Sequence, residues 1–151
     1  MPNSPSPMPS RALWLICLSG LIPFLVCLAL VYGRGEYAEA AKVVFLMYTG
    51  LTLSFLGGAR WGAELVRAPD TPSLPRLILS AMPSIVGLMA MVPQVPLLAG
   101  YGMVVASSVL QLAWDRSASQ SGLLPSWNGR IRTVMSVLGL LCTMAMIPAL
   151  L

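Results

Sequence analysis

Residues 12–32 read ALWLICLSGLIPFLVCLALVY, a run of 21 residues without a charged side chain. An α-helix of this length is about 30 Å long, which matches the hydrocarbon core of a bilayer. A secretory signal peptide is the competing interpretation, because Arg11 precedes the run and residues 38–40 resemble a cleavage site. The run is longer than the roughly 7 to 15 apolar residues of a signal peptide. We therefore expect a retained membrane-spanning helix.

The rest of the chain repeats this pattern between short charged segments. Apolar residues make up 57% of the chain and charged residues 9%, and the mean hydropathy is +0.81. Such a composition lacks the charged surface that a water-soluble domain needs. Residues 1–11 are expected to form a short disordered tail, and residues 12–151 a single all-α, polytopic membrane domain of about five transmembrane helices. The five predicted spans are residues 12–32, 38–61, 77–92, 97–114 and 131–151.

The third and fourth spans are predicted to form a hairpin. Only Pro93, Gln94, Val95 and Pro96 separate them. A connection this short and this rich in proline is typical of a tight turn.

The basic residues predict the orientation of the chain in the membrane, because short cytoplasmic loops retain Arg and Lys. Only Arg34 and Lys42 lie on one side of the predicted spans. We therefore expect a cytoplasmic N-terminus and a periplasmic C-terminus, in the inner membrane of a bacterium or of a mitochondrion. The basic residues on the predicted cytoplasmic side are Arg11, Arg60, Arg67, Arg76, Arg116, Arg130 and Arg132.

The residue inventory excludes several classes of chemistry. The chain has no histidine, which removes histidine-ligated haem, most zinc and copper sites, and Ser-His or Cys-His nucleophile pairs. Its three cysteines lie inside apolar runs, and no phosphate-binding glycine loop is present. We expect no catalytic residue, no cofactor, no metal and no nucleic-acid partner.

Small residues recur every four positions in the second span. Gly50, Ser54, Gly58 and Gly62 form a slightly winding stripe, and Gly57 lies beside it. Such stripes let two membrane helices approach closely. We expect intramolecular packing along this stripe, with a dimer or partner interface as the alternative.

Charged and aromatic residues gather at the cytoplasmic ends of the second, fourth and fifth spans. The fourth span ends in a polar edge of Ser107, Gln111 and Asp115 at i,i+4 spacing. Because a charge inside a span needs a partner or a water-filled cavity, we expect Arg60 to pair with Asp115; the alternative is that Arg60 snorkels to the cytoplasmic headgroups beside Trp61. The cluster is expected to lock the three helices, to bind an anionic lipid or a partner protein, or to act only as a solvated boundary belt. Its candidate members are Arg60, Trp61, Glu64, Asp115, Arg116, Trp127, Arg130 and Arg132.

Two segments of the chain carry a family resemblance. The first is FLGGARWG at residues 55–62, and the second is residues 115–132, which begin with Asp115-Arg116 and end with LPSWNGRIR. The chain resembles transmembrane protein 69 of eukaryotes and its bacterial relatives, grouped as domain of unknown function 3429. The resemblance covers the chain from the first span onward and implies a multi-pass membrane protein with mitochondrial relatives and no assigned activity. The matching residues are Gly57, Gly58, Arg60, Trp61, Gly62, Asp115, Arg116, Pro125, Trp127, Arg130 and Arg132.

Three functions remain open at this point. The favoured one is a non-enzymatic accessory or assembly factor for a larger membrane complex. The second is a small transporter or channel subunit, which would have to line its pathway as a homo-oligomer. Its best candidate polar residues are Lys42, Thr49, Thr52 and Gln111. The third is a lipid-acting enzyme with Asp115 or Glu64 as a base.

Overall fold

The computed structural model describes residues 11–120 and 126–151, and for 117–120 and 126–128 it describes the backbone alone. The predicted disordered tail lies outside the described residues, except for Arg11, which begins the first helix. The described chain consists of helices and short connections, in the order α1 (Arg11–Ser19), α2 (Ile22–Tyr32), α3 (Ala38–Arg67), α4 (Leu74–Ala90), α5 (Leu97–Gln120), α6 (Ser126–Met146) and a 3₁₀ turn (Ile147–Leu150).

The helices confirm an all-α, multi-pass membrane protein. In the described part of the chain, four segments are long and apolar enough to cross a bilayer: Arg11–Tyr32, Ala38–Arg67, Leu97–Arg116 and Gly129–Leu150. The remaining predicted span corresponds to α4, a shorter apolar helix of 17 residues. Large apolar side chains such as Leu15, Phe55 and Val66 are exposed, as expected for a surface that faces lipid.

The first span is two helices rather than one. The break falls at Gly20 and Leu21, whose backbone N–H groups bond to Cys17 and Leu18, and Pro23 follows in the first turn of α2. Proline fits a helix start because its missing N–H has no helical acceptor there. At the other end of the bundle, residues 91–96 form the expected hairpin turn between α4 and α5.

Helix α3 is the centre of the bundle and packs against α2, α4, α5 and α6. Away from the charged cluster, its core is aromatic: the Phe24 and Phe45 rings meet edge to face at 5.0 Å, and Phe45 stacks on Tyr101 at 5.8 Å. The Tyr101 hydroxyl donates a hydrogen bond of 2.8 Å to the carbonyl of Lys42. These contacts fix α2, α3 and α5 at the predicted periplasmic end.

The expected packing of the small-residue stripe within the bundle is found in its first half, whereas for its second half it is wrong among the described residues. Gly50 and Gly57 are buried against α4: a methyl group on Gly50 would meet Gly87, and one on Gly57 would meet the Ser80 carbonyl. Gly58 and Gly62 are exposed, and a methyl group on either would have no neighbour within 4 Å among the described residues. Ser54 is half-buried between the two sets.

The helical repeat explains this error. Steps of four residues advance 400°, so a stripe at this spacing turns about 40° further around the helix with each step. By Gly62 the stripe has left the face on which it began. The buried face of α3 instead follows alternating steps of three and four, namely Gly50, Leu53, Gly57, Arg60 and Glu64, the pattern that keeps one helix against another.

Candidate functional site

Asp115 is the centre of a buried ionic network that joins three helices. Its carboxylate is 2% exposed and lies between Arg60 of α3 and Arg132 of α6, each 8% exposed. The Nε of Arg60 donates to Oδ1 at 2.6 Å, and a second guanidinium nitrogen bonds to the same oxygen. The structure therefore contains the Arg60–Asp115 ion pair that the sequence predicts.

Arg132 completes this network from the opposite side. Its Nη2 donates to Asp115 Oδ1 at 3.2 Å and to the carbonyl of Leu56 at 3.0 Å, and its Nε lies 3.4 Å from Oδ2. One side chain of α6 is thus bound to both α3 and α5. Because two guanidiniums share one carboxylate, the network of Arg60, Asp115 and Arg132 carries a formal charge of +1.

Trp114 is a member of the site that the sequence interpretation missed. The Arg60 guanidinium carbon lies 4.0 Å from the centroid of its ring, which is cation–π geometry. The sequence does indicate this role, because Trp114 directly precedes Asp115 at the same end of the helix. Trp61, which was predicted instead, is 42% exposed on the outer surface of α3.

Glu64 forms a second, separate cluster. Arg67 donates to it at 3.0 Å, the backbone N–H of Ser73 at 2.9 Å, and Arg76 at 3.4 Å. Among the described residues, Glu64 thus forms ion pairs with Arg67, three residues later on the same helix, and with Arg76, whereas Arg60 pairs with Asp115. Glu64 thereby ties the end of α3 to the residue that precedes α4. Arg76 and the Ser73 N–H were not predicted, because loop closure brings them to Glu64.

Of the other predicted members, only Arg116 and Arg130 have side chains among those that the structure describes. Arg116 and Arg130 are exposed. Pro125 and the side chain of Trp127 lie outside the described residues. In the part of the chain that the structure describes, no group of His, Cys, Asp or Glu side chains could hold a metal ion.

Comparison with known proteins agrees with the resemblance found in the sequence. A family model described as "Protein of unknown function (DUF3429)" matches residues 8–148. The chain belongs to this family. Transmembrane protein 69 of Xenopus tropicalis is 28% identical over 130 residues, which make up 85% of this chain and 50% of that protein. The chain thus spans about half the length of this relative, and no solved structure matches it.

Proposed function

We propose that this family member is a non-enzymatic accessory or assembly factor for a larger complex in the inner membrane of a bacterium or a mitochondrion. The observation that carries the proposal is that both buried carboxylates are held in ion pairs that connect helices. Asp115 joins α3, α5 and α6, and Glu64 joins α3 to the start of α4. The ion pairs at the charged end of the bundle therefore hold the helices in a fixed arrangement.

These pairs weaken the case for a lipid-acting enzyme. A general base must reach the proton that it removes. Asp115 is almost completely buried between two guanidiniums, and Glu64 is bound by two arginines and a backbone N–H. Either carboxylate would have to break several charge-assisted hydrogen bonds before it could act.

Most of the polar residues that could line a transport pathway already have hydrogen-bond or ion-pair partners. Lys42 pairs with Glu39 at 2.7 Å. The hydroxyls of Thr49 and Thr52 donate to carbonyls one turn earlier in α3, at 2.9 Å each. These polar groups are satisfied within their own helix, which favours a packing role over a row of sites for a permeating ion.

The outer face of α3 offers a surface for a partner helix. Gly58 and Gly62 point away from the bundle, next to exposed Phe55 and Trp61. Glycines spaced by four allow the backbones of two membrane helices to touch. We assign this face to a transmembrane helix of the complex that the protein serves.

Affinity purification in mild detergent, followed by mass spectrometry of the captured proteins and native mass measurement, tests this function. We expect other membrane subunits to co-purify at a stable ratio with the wild type and to be lost with Gly58→Leu. The matched control is Gly102→Leu, because Gly102 is also exposed and an added methyl group there meets none of the described residues within 4 Å. Both variants should melt as the wild type does.

Two other results would overturn the proposal. A homo-oligomer without other subunits would favour the transporter or channel subunit. Retention of every captured subunit by Gly58→Leu would remove this face of α3 from the interface.

A further inference from the structure

A long cavity lies between α1–α2, α3, α5 and α6 and opens to the outer surface beside Leu51 and Phe55, which are exposed. Its volume is about 630 Å³, which is within the range of sites for small molecules. On α3 its lining extends from Tyr48 to Ala59, and on α6 from Ile131 to Thr143, a length of about 17 Å along the helix axes. Most of the wall is apolar, with Ile16, Phe24 and Leu53 among the lining residues.

Gln111 of α5 lines this cavity and is 4% exposed. Among the residues that the structure describes, neither its amide nitrogen nor its amide oxygen has a hydrogen-bond partner, and the same holds for the buried Ser136 hydroxyl. Buried polar groups are nearly always hydrogen-bonded, because leaving one unpaired is costly. Gln111 belongs to the wall of the cavity, and an unpaired amide there indicates a ligand with a polar group of its own, which a rotation of the side chain would bring within reach.

The polar end of the cavity lies beside the ionic network. Gln111 is one turn from Asp115 along α5, and Ser136 is one turn from Arg132 along α6. Because these antiparallel helices are joined by the Asp115–Arg132 pair, Gln111 and Ser136 lie at about the same depth, one turn further into the bundle. Arg132 itself lines the cavity, and the net positive charge of the network favours an electron-rich oxygen at this end.

We propose that the cavity binds a lipid-like amphiphile whose compact head carries both a carbonyl oxygen and a hydroxyl group, with its alkyl tail lying between α3 and α6. The carbonyl oxygen accepts from the Gln111 amide N–H₂, and the hydroxyl donates to the Gln111 amide oxygen. A pure hydrocarbon would leave both atoms of the amide unpaired. A head without a donor would leave the amide oxygen unpaired.

Photo-crosslinking of the full chain in nanodiscs tests this site, with a monoacylglycerol that carries a diazirine in its alkyl tail as the probe. We expect labelled residues on α3 and α6 in the cavity wall. Gln111→Leu removes both polar atoms at similar volume and should weaken labelling at least about tenfold, because the head loses its partners. Ser108→Ala is the control, since Ser108 also lines the cavity but its hydroxyl bonds to Val104 at 2.7 Å.

A second pair of variants tests the binding of the alkyl tail independently of the binding of the head group. Gly139 lines the cavity and has no neighbour within 4 Å of an added methyl group. Gly139→Leu should therefore fill the tail region and abolish labelling, while Gly102→Leu outside the cavity should not. Equal labelling of the wild type, Gln111→Leu and Gly139→Leu would overturn the proposal, as would equal labelling by a diazirine alkane that has no polar head.

Discussion

At the scale of single residues, Asp115 is the side chain on which the charged end of the bundle depends. Asp115→Asn leaves two buried guanidiniums side by side without their counter-charge, whereas Arg60→Gln leaves Asp115 paired with Arg132. Removing one partner of a buried pair costs about 3 to 5 kcal/mol. We expect Asp115→Asn to lower the melting temperature in nanodiscs more than Arg60→Gln does.

A double-mutant cycle distinguishes this network from two independent surface charges. The double variant, with both Arg60→Gln and Asp115→Asn, should lose less free energy of unfolding than the two single variants lose together. We expect a coupling energy above about 1 kcal/mol. Asp70→Asn, at an exposed carboxylate between α3 and α4, should change the melting temperature little. Small and additive losses at Arg60 and Asp115 would contradict a buried ionic lock.

Glu64 controls the connection between α3 and α4. Glu64→Gln weakens its bonds to Arg67 and Arg76 and to the backbone N–H of Ser73, so residues 68–73 should open more often. We expect faster tryptic cleavage after Arg67 in nanodiscs. The matched control is Glu39→Gln, because the Glu39 carboxylate is 82% exposed and such surface pairs contribute about 0 to 1 kcal/mol. Unchanged cleavage in Glu64→Gln would show that this carboxylate does not hold the connection.

At the scale of elements, Gly57 and Gly58 provide a comparison of buried and lipid-facing positions on one helix. Alanine at either position gains helix propensity of about 1 kcal/mol relative to glycine. At Gly57 the added methyl group meets the backbone carbonyl of Ser80, whereas at Gly58 it meets nothing within 4 Å in the part of the chain that the structure describes. Gly57→Ala should therefore lower the melting temperature and Gly58→Ala should hold or raise it. The same response of both variants would mean that α4 does not touch α3 at this point.

The helices could be predicted from the sequence with more success than their contacts. Span lengths and the proline-rich turn depend on local chemistry and bilayer thickness, and so does the choice of Arg60 and Asp115 as partners. Which glycines touch α4 depends instead on the rotation of α3 about its axis. That rotation is set by all the neighbours of α3, including Ser80, Gly87 and Arg132, and spacing within α3 alone does not determine it. The bonds of Glu64 to Ser73 and Arg76 likewise arise only after the chain has turned.

At the scale of the whole molecule, the described bundle has its charged side chains near the helix ends and many large apolar side chains on the outside as well as in its core. Helices α3 and α5 extend beyond their predicted spans, to Arg67 and Gln120. These extensions bring Glu64 and Asp115 into buried contacts at the boundary rather than into solvent. The same end of the bundle therefore carries both the fold-determining ion pairs and the exposed basic residues.

The exposed basic residues at this end also predict the orientation of the bundle in the membrane. Because Arg60 and Arg132 are buried in the ionic network, the orientation depends on the exposed arginines at that end, compared with Arg34 and Lys42 at the other end. The exposed arginines are Arg11, Arg67, Arg76, Arg116 and Arg130. Because exposed basic residues near short loops are retained in the cytoplasm, a reporter inserted after Gln120 should read as cytoplasmic and one fused after Leu151 as periplasmic. Replacing Arg116 and Arg130 by Gln should weaken this bias, whereas Arg34→Gln should not. A cytoplasmic signal from both reporters would mean that α6 does not cross the bilayer, since of the five candidate spans only α6 lies between the two positions. A periplasmic signal after Gln120 with a cytoplasmic signal after Leu151 would mean that α4, the shortest of the five, does not cross.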